Sequence, residues 1–186
     1  ERRIDWNRLR TILVNMTHEF AAPVVFKSFL IGWHIRRLQR LLPLTCFVHL
    51  RRDPLESAVS LCARRRQLGD PATTWTSLKP REYAWLKDEP LPRQLAGQVY
   101  FLDRRLTEQL SGVPAARVLE ISYTDLCADP SQVLAQVQDL LARADAPVVR
   151  VGRPPPCFPY SAGPDIPEHD RDGLRREIDG FYREAA

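Results

Sequence analysis

Arg52 and Ser60 lie about two helical turns apart, and both follow the strand-like run TCFVHL, residues 45–50. A guanidinium presents a planar fork of donors that matches a phosphate or carboxylate, and a hydroxyl adds one more donor. Between them Asp53 is a natural N-cap, Pro54 suits the first helical position and Glu56 completes a capping-box pattern. A helix is therefore expected to start beside Arg52. Steps of about 100° put Leu55, Ala58, Val59 and Cys62 on one side of it, and Ser57, Ser60 and Arg64 on the other. The chemistry on offer is anion binding, with charge-assisted hydrogen bonds worth roughly 1.5–3 kcal/mol each. The same residues also describe a solvated arginine and a surface serine; the local pattern permits the site without demanding it.

The elements that must position these groups are legible as periodicities. WNRLRTILVNMTHEF reads as a helix with Leu9, Ile12, Leu13 and Met16 on one face. Pro23 precedes VVF, a short buried strand, and Ile31, Ile35, Leu38 and Leu42 repeat at helical spacing up to Pro43. Strand, helix and the strand TCFVHL make a βαβ unit, which predicts a parallel sheet covered by helices. Open parallel sheets bind ligands beyond the carboxyl ends of their strands, where Arg52 stands. An irregular connection containing Trp75 follows. Then come a long helix with Leu95, Val99, Leu102, Leu106 and Leu110 as its core stripe, the strand ARVLEISY, and a helix opening at Asp129-Pro130. A proline-rich loop, GRPPPCFPYSAGPDIP, leads to a charged helix from about Glu168. The fold class is α/β, a single domain over residues 1–186.

Composition narrows the function classes. Of the 27 basic side chains only Lys27, Lys79 and Lys87 are lysine, and the net charge of +4 tilts toward an anionic ligand while remaining compatible with simple solubility. Nucleic-acid binding has nothing but that excess behind it. No apolar run approaches the ~18–20 residues of a membrane span, and no charged-then-apolar leader is present. The Glu1 start points to a piece of something longer. Cys46, Cys62, Cys127 and Cys157 are scattered with no ligand spacing, which reads as free thiols in a reducing compartment, hence a cytoplasmic address and no metal.

The stretch FVHLRRDPLESAVSLC resembles the 3'-phosphate motif of the sulfotransferases that use 3'-phosphoadenosine 5'-phosphosulfate (PAPS): an apolar strand, Arg, Asn or Asp, Pro, and a Ser eight residues after the Arg. PVVFKSF is similar to the family's strand with a lysine near the transferred group, and RVLEISYTDLCADPSQVLAQVQDLL to its strand, Tyr-x-Asp-Leu turn and Asp-Pro helix. The likeness covers roughly Pro23 to Leu141. It implies a P-loop-NTPase-like three-layer fold with a small parallel sheet flanked by helices. It implies that Arg52 and Ser60 hold the 3'-phosphate of PAPS, Tyr123 contacts the adenine, and Lys27 offsets charge on the sulfuryl and leaving oxygens. The acceptor would be a hydroxyl or amine of a small molecule or glycan.

The chain also departs from the family's pattern. The Gly-Ser/Thr-Thr loop that grips the 5'-phosphosulfate is not seen before Val24, which points to a missing N-terminal segment or a lost half-site. Phe29 stands where the cytosolic branch has its catalytic His, and the C-terminal Arg-Lys-Gly loop is not visible, so the likeness is to a distant, bacterial-type member. His18, Glu19, His34 and His49 are the candidate bases within the chain, each with a structural reading beside it. Trp75 and Trp85 flank the connection where such enzymes gate the acceptor. A non-catalytic, sulfotransferase-like module that binds a nucleotide or partner is the alternative.

Overall fold

Several helices in this chain start where a side chain accepts from an exposed amide of the first turn. The structure, a computed structural model, describes residues 4–28 and 30–184. Helix α1 (Trp6–Phe20) begins behind Asp5, which accepts from the Arg8 amide at 3.0 Å. Its expected stripe is only partly used. Leu9, Leu13 and Met16 are half-buried while Ile12 is exposed, because α1 meets the remaining chain along one edge, through Leu13 and an Arg10 Nε bond to the Leu41 carbonyl.

Residues 23–28 do not form the strand expected there. They carry no regular structure and have no ladder partner, leaving Val25 89 % and Phe26 54 % exposed. An apolar, β-branched segment becomes a strand only if a neighbouring edge takes its amides and carbonyls. The expected βαβ unit is therefore absent. A 3-10 turn (Leu30–Trp33) then leads to helix α2 (Ile35–Leu41), which buries Ile35 and Leu38.

The sheet is built instead from β1 (Phe47–Arg51) and β2 (Val118–Ser122), parallel, in register from Phe47 opposite Val118 to Arg51 opposite Ser122. A long helical crossover joins them: α3 (Pro54–Leu68), α4 (Tyr83–Leu86) and α5 (Leu91–Leu110). After β2 come α6 (Tyr123–Ala128), α7 (Pro130–Arg143) and α8 (Glu168–Arg183). Phe47 and Val118 share one sheet face and join Ile35, Leu38 and Val113 in a small core, while α7 packs on β2. Val48 and Leu50, on the alternate face, stay about half exposed. Among the described residues no helix is long and apolar enough to cross a membrane.

The larger core lies between α3, α5 and α8. Ala58, Val59 and Cys62 meet Leu95, Ala96 and Tyr100 of α5 and Leu174, Ile178 and Phe181 of α8, with Tyr100 stacked on Phe181 at 5.4 Å. The stripe of α5 is not the purely apolar one expected. Leu95 is buried and Val99, Leu102, Leu106 and Leu110 half-buried, but Gln94, Gln98 and Gln109 are buried with them. Gly97 is the closest approach in this core, since a Cβ there would stand 2.5 Å from Leu86 Cδ2 and 3.2 Å from Phe181 Cζ. Gly97→Ala gains ~1 kcal/mol of helix propensity. It also forces apart two buried side chains with no free volume, at roughly 1–3 kcal/mol. The expected outcome is a net loss of about 1 kcal/mol in a urea unfolding midpoint; a gain would mean that this contact is loose.

Candidate functional site

Strands β1 and β2 end together, and a cavity of about 360 Å³ opens beyond their carboxyl ends. Arg51, Arg52, Glu120, Ser122, Tyr123 and Tyr160 line it. This is where an open parallel sheet presents a binding crevice. Two helices begin at its rim: α3 behind Asp53, which accepts from the Glu56 amide at 3.0 Å, and α6 behind Ser122, whose hydroxyl accepts from the Asp125 amide at 2.9 Å. The start of α3, a helix of 15 residues, adds a positive dipole end on the Arg52 side.

Arg52 and Tyr123, far apart in the chain, are brought together here. The Arg52 guanidinium carbon stands 5.1 Å from the centroid of the Tyr123 ring, an arrangement that aligns a cation with a ring face. Arg52 Nε donates to Glu56 Oε2 at 3.2 Å and Nη2 donates to the Ser161 carbonyl at 2.5 Å, so Nη1 keeps its hydrogens for the cavity. Glu56 therefore does not complete a capping box: its second oxygen accepts from the Tyr160 hydroxyl at 2.5 Å. That bond pushes the Tyr160 hydroxyl above its ordinary pKa. The rings of Tyr160 and Tyr123 lie 5.5 Å apart, tilted by 36°.

Ser60 is half-buried on α3 and does not line the cavity. The proline-rich loop explains why. Phe158 N donates to the Cys127 carbonyl at 2.8 Å, Ser161 sits on Arg52, and Gly163, at φ +95°, packs onto α3. A Cβ at Gly163 would lie 3.3 Å from Val59 Cγ1 and 3.8 Å from the Ser60 amide. The loop is thus a strap laid along the surface of α3 between Glu56 and Ser60. Lys27 is exposed in the irregular segment and does not line this cavity, and Phe29, the family's base position, falls outside the described residues.

The opposite wall is a second balanced pair. Arg51 Nη1 bonds Glu120 at 3.2 Å and Nη2 lies 3.7 Å from Asp103 of α5. The hydrogen bond to Glu120 and the nearby Asp103 raise the Arg51 pKa. Asp103 also accepts from Tyr182 at 3.2 Å, and burial holds that hydroxyl protonated well above its usual range. His49 is buried behind Glu120, its Nδ1 3.4 Å from Oε2 yet without a hydrogen-bond partner. Of the candidate bases it is the one connected to the cavity, through Glu120. His34 instead packs edge-on against Trp6 at 5.1 Å, and His18 and Glu19 are exposed on α1. Trp75 lies under Arg65 and Trp85 stands edge-on to Phe101, so both are engaged in packing.

Sequence patterns did not single out Glu56, Glu120 or Tyr160 for the cavity. Glu120 faces His49 only through the strand register, and Tyr160 reaches Glu56 across 104 residues. The doubled arginine in HLRRDP was the one available signal. Cys62 and Cys127 are buried free thiols, with Cys62 held above its usual pKa by burial, and no metal-holding group of three His, Cys, Asp or Glu occurs among the described residues. A family model described as the sulfotransferase family matches residues 3–147. No curated protein and no solved structure matches the chain.

Proposed function

Because the chain belongs to the sulfotransferase family, we propose that it moves a sulfuryl group from PAPS to a hydroxyl or amine of a small-molecule or glycan acceptor. The observation that carries this reading is the meeting of Arg52 with the Tyr123 ring at the carboxyl ends of two parallel strands. Arg52 Nη1 and the start of α3 supply donors and positive potential for the 3'-phosphate. The Tyr123 ring offers a face for adenine, and Ser60 joins the phosphate site once the strap moves. Lys27 would reach the sulfuryl group from the irregular segment before the 3-10 turn. In the transfer an acceptor oxygen or nitrogen bonds to sulfur as the bond from sulfur to the donor's phosphate oxygen breaks. The acceptor's proton passes to a base, and 3'-phosphoadenosine 5'-phosphate departs. The protein's part is positioning and charge neutralisation. The three-layer, P-loop-like architecture and a cytoplasmic address belong to the same reading, the latter supported by four free cysteines.

Calorimetric titration tests it. 3'-Phosphoadenosine 5'-phosphate is expected to bind at least about ten-fold more tightly than adenosine 5'-phosphate, the contribution of one charge-assisted pair. Equal binding overturns the assignment. The occupation of Arg52 by Ser161 and Glu56 favours a second reading, a non-catalytic nucleotide-binding module. That reading predicts the same titration with no labelled sulfate transferred from PAPS to phenols, alcohols or amines.

A further inference from the structure

A second, smaller cleft of about 170 Å³ shares no lining residue with the first. It lies where the 3-10 turn meets the middle of α5: Gly32 packs near Leu106, and Trp33 and Phe101 are its aromatic lining. Arg81, Arg104 and Arg105 converge on it. One carboxylate, Glu108, serves two of these cations, at 3.3 Å from Arg104 Nε and 3.4 Å from Arg105 Nη1. Arg81 has no ion pair among the described residues. Arg105 Nε is shielded from solvent and has no acceptor, which leaves the terminal nitrogens of its guanidinium as the donors a ligand can reach.

We propose that this cleft binds an aromatic carboxylate, its ring against Trp33 and Phe101 and its carboxylate on the Arg105 and Arg81 guanidinia. The lining carries three guanidinia against Glu82 and Glu108, one positive charge in excess, which suits a monoanion better than a phosphate dianion. The volume is below the ~300–1,000 Å³ of sites for drug-sized ligands, so it takes one substituted ring or the end of a larger molecule. Arginine matches a carboxylate in bidentate fashion, whereas an ammonium offers only a point charge. The inference stands apart from sulfuryl transfer and needs no nucleotide.

The test uses the whole chain and two probes, 4-hydroxybenzoate and phenol, followed by amide shifts in two-dimensional NMR. 4-Hydroxybenzoate is expected to shift Trp33, Arg81, Arg104 and Arg105 in a saturable way, and phenol at the same concentration to leave them unmoved. Arg105→Gln should weaken the carboxylate by about ten-fold or more, and Arg105→Lys should fail to restore it, because the fork is lost in both. Arg81→Gln, at an exposed position that does not bear on folding, should weaken it several-fold. Equal binding of phenol, shifts confined to the Arg52 cavity, no saturable shift, or wild-type affinity in both glutamine variants would each overturn the proposal.

Discussion

Arg65→Ala is expected to lower unfolding stability by about 3–5 kcal/mol, the largest effect of any single change considered for this chain. Arg65 is fully buried in the last turn of α3, and burial pulls its guanidinium below the ordinary arginine pKa. No carboxylate neutralises it among the described residues; it is solvated by amides instead. Nη1 donates to Gln94 Oε1 at 2.7 Å and to the Pro71 carbonyl at 3.3 Å, and Nη2 donates to Gln98 Oε1 at 2.8 Å. The Trp75 ring lies beneath it at 4.2 Å. The glutamines pass the network on. Gln98 Nε2 donates to the Thr76 and Leu78 carbonyls, and Gln94 Nε2 to those of Ala72, Lys87 and Glu89.

Truncation at 65 therefore opens a cavity and strips donors from two buried amide oxygens, each costing about 1–3 kcal/mol. Total stabilities run only ~5–15 kcal/mol, so the variant should sit near the folding threshold. Arg65→Lys keeps the charge but can reach one glutamine at a time, and should recover part of the loss. Leucine at 94 and 98 cannot rescue either variant, because the connection's carbonyls would then lose their donors. Chemical denaturation followed by circular dichroism measures all of these. A loss below about 1 kcal/mol for Arg65→Ala would show the network to be incidental.

That network also marks what could and could not be read from the chain. The α5 helix was evident from LPRQLAGQVYFLDRRLTEQL, and its bounds hold because spacing and the entry Pro are local properties. Likewise Asp53-Pro54 announces α3 and Asp129-Pro130 announces α7. Gln94 and Gln98 stand outside the apolar stripe read from the chain, and nothing local says that irregular chain will cross above them and need donors. The segment VVF failed in the opposite sense: its composition is that of a strand, yet strand formation depends on a partner edge elsewhere. The site divides along the same line. Arg52 at a strand end and Tyr123 after another were legible as positions, and their encounter follows from parallel pairing. The partnership of Glu56 with Tyr160 depends on where a proline-rich loop comes to rest, which no periodicity encodes.

Glu56→Gln is expected to tighten binding of 3'-phosphoadenosine 5'-phosphate by about five-fold, while Arg52→Ala weakens it by about 10–100-fold and erases the preference over adenosine 5'-phosphate. Both expectations follow from the proposal that Arg52 receives the 3'-phosphate. The guanidinium is already engaged: Glu56 neutralises it from one side and the Ser161 carbonyl occupies one terminal nitrogen. A phosphate on the remaining face would stand near the Glu56 carboxylate, and two like charges ~5 Å apart repel by ~3 kcal/mol at an effective dielectric near 20. Partial solvent exposure of both side chains reduces this to about 1 kcal/mol. Glutamine preserves an acceptor for Arg52 Nε and removes the repulsion, so geometry is kept while charge is changed. The Ser161 carbonyl has to yield as well if the phosphate is to engage Nη2 and Ser60. Ligand should therefore speed hydrogen exchange at the Phe158 amide, which fastens the strap to Cys127. If Glu56→Gln instead weakens the nucleotide and exchange at Phe158 slows, the strap is part of the bound site, and Glu56 holds Arg52 in place for the phosphate rather than competing with it.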